Sequence, residues 1–374
     1  MNGFWKVLRI VLIVLASLVV LFLILLFYLW LSGRVWYPRQ RSRVESLSSQ
    51  PVVAIDENSI AIGPLDDRLP LDSLRMIASH NSYHLAPDWI RRFLIGLAEP
   101  EEPPRLRYSH RLLWEQLESG VRSFELDVRA RRNRFTITHV PLVDNRGPNP
   151  DFALAVLEIV LWSERHPDHV PIIVLLELKR DWMFLDPGLK AWDAGTLDRL
   201  DSLVRSVVPR EKLLTPAMVS GGAGSLVDAV RFFGWPSLAE TRGRIMFVIH
   251  TDDLIDPLYV AGDPTLAGRP MFTSRPGADN PQDQRAASDA RRDAVVVIHN
   301  EPDRDSIAAL TAQRLVVRTR ADGDGSFTPA QRSAALTSSA QIVSTDLPPD
   351  HPNDQDRGVV EFAPGKTLMQ TNSR

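Results

Sequence analysis

The sequence predicts an α/β protein, a TIM-type (β/α)8 barrel preceded by one N-terminal transmembrane helix. Three observations predict it. Eight short, apolar, β-branched runs lie between Leu74 and Ser344, at 74–78, 121–128, 135–140, 171–178, 244–250, 294–299, 315–318 and 341–344. The segments between several of them have helical periodicity, as at 151–165 and 195–208. Residues 10–33 are apolar apart from Ser17, Ser32 and the hydroxyl of Tyr28, and about twenty such residues cross a bilayer as a helix. Eight buried strands alternating with longer segments fit a parallel barrel. An open doubly wound sheet is the alternative, but no glycine-rich dinucleotide or phosphate-binding loop is present.

In chain order, residues 1–9 form a short flank. The apolar run at 10–33 is longer than the core of a secretory signal, and no small-x-small cleavage pattern closes it. Trp5 marks one edge, and Tyr28, Trp30, Trp36 and Tyr37 mark the other, as interfacial anchors do. This is read as an uncleaved single-pass anchor in the lipid bilayer. Lys6 and Arg9 precede it, and Arg34, Arg39, Arg41 and Arg43 follow it, so the positive-inside rule leaves the domain in the cytoplasm. Residues 34–72, polar with scattered Pro, Gly and Ser, read as a tether. The barrel is expected at 73–350 and a polar tail at 351–374. The stretch 251–291 reads as a long loop, either a substrate rim or an insertion.

Composition narrows the chemistry. A chain of 374 residues with 44% hydrophobic and 24% charged residues has an ordinary globular core. There is no cysteine, which excludes disulfides, thiolate catalysis and cysteine-ligated metals. A net charge of −3 argues neither for nor against an anionic partner. No nucleic-acid partner is expected.

Polar, catalysis-capable residues cluster at the ends of the early strands: His80-Asn81, Glu125 and Asp127, His139, and Glu177 with Lys179. In such barrels active sites lie at the C-terminal strand ends. Glu125 and Asp127 are two apart on a strand and so share a face, where they repel unless a cation or proton joins them. With Asn81 and Glu177 they form an oxygen-only donor set, suited to Ca²⁺ or Mg²⁺. The competing reading pairs the two carboxylates with Arg122 and Arg129. His80 and His139 flank this set and suit general acid–base catalysis. Lys179, Arg318 and Arg320 offer charge to phosphate oxygens, against pairing of the arginines with Asp322 or Asp346. Asp322-Gly323-Asp324-Gly325 is too short for an EF-hand loop. The parts together point to a phosphodiester site.

The segments SHNSYH (79–84), YSHRLLWEQLESGVRSFELDV (108–128), THVPLVD (138–144), HPDHVPIIVLLELK (166–179), GWPSLAETRGRIMFV (234–248), VVRTRAD (316–322) and AQIVSTD (340–346) resemble, in this order, the bacterial Ca²⁺-dependent branch of phosphoinositide-specific phospholipase C. The resemblance runs from about Leu74 to Asp346. It implies a TIM-like barrel that cleaves a membrane phospholipid, an inositol lipid, to diacylglycerol and a cyclic inositol phosphate. His80 is implied as base or phosphoryl ligand, and His139 as the acid for the departing diacylglycerol oxygen. Asn81, Glu125, Asp127 and Glu177 match the calcium ligands, and the metal-independent branch has Arg where Asp127 stands. Val140 follows His139 where many relatives have Gly. A calcium enzyme is expected outside the cytoplasm, opposite to the arginine count. The rival readings are a glycerophosphodiester phosphodiesterase, whose His-Arg opening and Glu-Asn pair are missing, and a silent barrel that only binds membrane or a partner.

Overall fold

The computed structural model describes residues 2–47, 49, 55–278, 287, 289–322, 328–349 and 358–371. Gly323, Asp324 and Gly325 of the acidic turn, parts of the 251–291 stretch and residues 351–357 of the expected tail fall outside them.

Eight parallel strands close into a barrel: β1 (Leu74–Ser79), β2 (Ser123–Ala130), β3 (Ile172–Leu178), β4 (Ile245–Ile249), β5 (Phe272–Pro276), β6 (Ala294–Ile298), β7 (Val316–Arg320) and β8 (Ile342–Thr345). Each pairs in parallel with the next, and β8 pairs with β1. Runs such as Ile172–Leu178 and Ala294–Ile298 are apolar at nearly every position because helices cover one face and the barrel core the other. Phe124, Leu126, Val174, Leu176, Phe247 and Val296 are all essentially fully buried.

The strand assignment needs one exchange. The run expected as the third barrel strand, 135–140, forms only Phe135–Ile137, which pairs antiparallel with β2 outside the barrel wall. The eighth wall strand is β5, inside the stretch expected as a loop. Its Thr273 and Ser274 are buried yet polar. Thr273 donates to Asp293 Oδ2 at 2.7 Å, and Ser274 donates to the Ile249 carbonyl at 2.9 Å. Those bonds replace the apolar signature by which a buried strand is recognised. A register shift between the same two residues weakens the pattern further.

The N-terminus is one long helix, α1 (Asn2–Arg34), about 50 Å at 1.5 Å per residue. It is long and apolar enough to cross a membrane, and its most apolar window is not buried against the rest of the molecule. The residues expected as a tether contain α2 (Trp36–Leu47), which packs on the helix Phe152–Arg165. Gln40 exchanges two hydrogen bonds with the backbone of Asp151, at 3.0 and 2.9 Å. Arg43 pairs with buried Glu158 at 2.9 Å. A short strand, Ala61–Ile62, pairs with Leu368–Gln370 from the expected tail, which in turn pairs antiparallel with β1. These partners lie more than one hundred residues away in the chain, so local polarity hides them.

Candidate active site

The strand ends converge as the parallel barrel requires. Beyond β1 the chain turns sharply: Asn81 adopts the left-handed conformation (φ 44°), which asparagine tolerates better than most residues. The His80 amide donates to the Thr345 carbonyl at 2.9 Å, and the His80 carbonyl bonds His110 Nε2 at 2.7 Å. The two side chains therefore leave a fixed backbone. In β2 and β3, Asp127 stands in direct register with Glu177.

A cavity of about 190 Å³ opens here, lined by His80, Asn81, Asp127, His139, Glu177 and Arg320 together with Tyr108, Asp346, Glu102, Arg105 and Leu106. Six of the nine residues singled out in the sequence thus share one cavity. Glu125, Lys179 and Arg318 do not line it. Glu125 is buried, and its Oε2 accepts from Arg318, which also reaches Asn300. Lys179 Nζ lies 2.9 Å from Glu177 Oε1 and 3.8 Å from Asp127 Oδ2. The pairing of Glu125 and Asp127 with Arg122 and Arg129 does not occur: Arg122 pairs with buried Glu57, and Arg129 with Asp181. Arg320 does pair with Asp346 and Asp322, at 3.2 and 3.5 Å, while Arg318 turns to Glu125 instead.

The two histidines face opposite surroundings. His80 Nδ1 is 2.7 Å from Asp346 Oδ1, and Arg320 stands 3.4 Å from Nε2. An arginine can only donate, so Nε2 is the accepting nitrogen and Nδ1 carries the proton. Burial and then the charge of Arg320 hold the imidazole well below its usual pKa, in the neutral form. His139 Nδ1 is 3.0 Å from Asp144 Oδ2. Burial pulls His139 down, but the hydrogen bond and charge of Asp144 outweigh it, and its pKa is raised. Asp144 also has His84 Nε2 at 3.5 Å, and despite burial its carboxyl is held well below the usual range by these two rings. One imidazole held well below its usual pKa and one held above it thus face one cavity.

The acidic wall is open. Asn81 Oδ1 and both carboxylate oxygens of Asp127 are buried without a hydrogen-bond donor. Burial, opposed by Lys179 and reinforced by Glu177, pushes Asp127 up to about 6. Among the described residues no three acidic or histidine side chains converge into a closed ligand cluster. The donors are hard oxygens with unfilled lone pairs, which fits Ca²⁺ chemistry.

Tyr108 and Asp144 escaped the sequence reading of the site, and Asp346 entered it only as a partner for the arginines. Asp346 follows β8 and obeys the same strand-end rule as the others, so the signal was available. Asp144 reaches His139 through a tight loop in which Val140 bridges Asp144, and no strand-end pattern marks it. Beside His139 lies a small apolar notch of about 60 Å³, lined among others by Leu94, Ile95, Val140, Trp182 and Leu185.

The comparisons with known proteins bear on the fold and the family. The barrel is similar to that of a Ca²⁺-dependent phosphoinositol-specific phospholipase C from the Gram-negative bacterium Pseudomonas sp. in a myo-inositol complex, at 18% identity, over 85% of this chain and 100% of that one, with a TM-score of 0.60. It is also similar to a Ca²⁺-dependent phosphatidylinositol-specific phospholipase C from Streptomyces antibioticus, at 18% identity, over 74% of this chain and 94% of that one, with a TM-score of 0.52. These likenesses carry the fold. No curated protein matches the chain. The profile of the family "Phosphoinositide phospholipase C, Ca2+-dependent" matches residues 69–133 and 129–372, most of the chain. The chain therefore belongs to the Ca²⁺-dependent phosphoinositide phospholipase C family, enzymes that cleave phosphodiesters.

Proposed function

We propose that this chain is a membrane-anchored, Ca²⁺-dependent phospholipase C that converts an inositol phospholipid to diacylglycerol and a cyclic inositol phosphate. The observation that carries the reading is the opposed pair of histidines on one cavity. His80 Nε2, neutral and accepting, takes the proton of the inositol 2-hydroxyl. That oxygen attacks phosphorus, and the bond from phosphorus to the glycerol oxygen breaks. His139, charged, gives its Nε2 proton to the departing diacylglycerol oxygen. Asp346 and Asp144 hold the two rings in the tautomers this requires. Arg320 directs its guanidinium toward the same space and favours phosphoryl charge.

Asn81, Asp127 and Glu177, with Glu125 through its remaining oxygen, would hold Ca²⁺. When bound, the cation would stabilise negative charge on the phosphoryl oxygens and lower the pKa of the attacking hydroxyl. The apolar notch beside His139 suits the lipid side of the scissile bond. The nearby helix α3 (Trp89–Ala98) exposes Trp89, Phe93 and Leu97 on one face, which supports work at a lipid surface. Plentiful external calcium favours a catalytic domain on the extracytoplasmic side.

The test is to incubate the full chain, in detergent, with phosphatidylinositol, with calcium or with chelator. Cyclic inositol phosphate that forms only with calcium, and not with His139→Ala, is the expected result. Release of glycerol phosphate from glycerophosphodiesters, with none from phosphatidylinositol, would overturn the substrate assignment.

A further inference from the structure

A second cavity, of about 260 Å³, lies between the anchor and the barrel, and the proposed reaction does not use it. Trp30, Arg34 and Tyr37 line it from the junction of α1 and α2, and Arg131, Arg134 and Thr136 from the β2 hairpin. Its wall carries four guanidinium groups, those of Arg34, Arg129, Arg131 and Arg134, against one carboxylate, Asp186.

Two of the four are committed. Arg129 bonds the carbonyls of Thr138, His139 and Asp181, and Arg131 pairs with Asp186. Arg34 and Arg134 have no carboxylate partner among the described residues. Each lies over an aromatic ring instead, Arg34 at 4.6 Å from the centre of Trp30 and Arg134 at 4.9 Å from that of Tyr37. Like charges gathered around a cavity raise the affinity for an anion, and guanidinium groups match phosphate oxygens.

The height of the crevice decides what kind of anion. It begins where the apolar stretch of α1 ends, among the aromatic residues of an interfacial belt. The anchor is held there rigidly: Tyr28 donates to Asp88 Oδ2 at 2.9 Å, buried Arg91 reaches Ser32, and Asn145 Nδ2 donates to the Leu29 carbonyl at 3.1 Å. The crevice is therefore fixed at the level of lipid headgroups. We infer that it binds the phosphate of an anionic phospholipid, with Arg34 and Arg134 as the principal ligands, separately from the catalytic cavity. Thr138, Pro141 and Leu142 also line it, so the bound headgroup touches the loop that carries His139.

This inference rests on the reading of α1 as a membrane span. The full chain is reconstituted into phosphatidylcholine nanodiscs containing a minority of phosphatidylglycerol, which lacks the inositol ring. Retained lipid is then counted by native mass spectrometry, with inorganic phosphate offered in a parallel sample without phosphatidylglycerol. The wild-type chain is expected to retain one phosphatidylglycerol. The double variant Arg34→Gln/Arg134→Gln is expected to bind it roughly thirty-fold more weakly, two guanidinium contributions to an anionic headgroup. Arg132→Gln, an exposed position outside the crevice, is expected to bind as wild type. Both substituted arginines are exposed, and an unchanged thermal unfolding curve shows that the double variant is folded. Equal retention by the double variant overturns the site, and retention of inorganic phosphate without retention of lipid overturns the lipid assignment. A chain that does not travel with the discs overturns the anchor and the inference together, a failure visible before any lipid is counted.

Discussion

Asp144→Asn tests the polarity of the histidine pair. Asp144 is buried, touches His139 Nδ1 at 3.0 Å and does not line the catalytic cavity. Asparagine keeps its shape and removes its charge. A hydrogen bond to a charged group contributes about 1.5–3 kcal/mol. If it acts on the imidazolium that donates the proton, its loss slows turnover about 10- to 150-fold. The pKa of His139 falls as well, because Asp144 is what raises it against burial. An acid works only while protonated, so activity declines as pH rises through that pKa, and the variant's alkaline limb moves to lower pH. KM stays near the wild-type value, since substrate does not meet Asp144. The assay is release of cyclic inositol phosphate from phosphatidylinositol in mixed micelles, across a pH series at saturating calcium. An unchanged kcat with an unmoved alkaline limb would refute the assignment of His139 as the acid held by Asp144.

Asp127→Asn is expected to raise the calcium concentration for half-maximal activity on the order of tenfold, and calorimetry of calcium binding should show the same loss. Buried His169, bonded to Ser163 and the Val170 carbonyl, is driven by burial down to about 3. The unfolded chain binds this proton first as pH falls. The stability from His169 is therefore complete above about pH 6.5, declines by about 1.4 kcal/mol per pH unit and is gone below the folded value. Denaturant melts of wild type and His169→Gln should differ in this slope, and equal slopes would contradict it. Removing residues 1–26, which leaves the bonds of Tyr28, Leu29 and Ser32 in place, should leave the barrel's Tm nearly unchanged. Removing residues 1–48 also strips buried Val44 and Leu47 and the Arg43–Glu158 pair, and should lower Tm on the order of 10 °C.

Much of this site was legible because a parallel barrel obeys a positional rule. Once strands such as 121–128 and 171–178 are recognised, their last residues must share one end, and Asp127 beside Glu177 follows from register. The same logic fails where burial is polar. β5 hides because Thr273 and Ser274 satisfy themselves on Asp293 and Ile249, contacts that no window of sequence contains. It also fails where a partner is remote. Glu125 meets Arg318 across the barrel, and α2 meets a helix more than one hundred residues later. Short loops are a third blind spot: Asp144 acts on His139 five residues away through a turn that carries no motif of its own.

The distribution of charge over the cavity explains how both chemistries coexist there. Three carboxylates from neighbouring strand ends cannot all be buried and charged without cations. Glu125 has Arg318 and Glu177 has Lys179, and the carboxyls of both are held low against burial. Asp127 alone accepts no hydrogen bond on either oxygen and is the one pushed up to about 6. That is where an added divalent cation would relieve the most repulsion. Across the cavity, Arg320 stands between Asp346 and Asp322; burial and then the charge of Glu125 push Asp346 up to about 6, and burial and then the charge of Asp346 push Asp322 up to about 7. Burial and then the guanidinium hold the His80 pKa low on this side, and Asp144 raises that of His139 against burial on the other. In the proposed mechanism Arg320 and Asp144 would therefore set the direction of proton flow without exchanging a proton themselves.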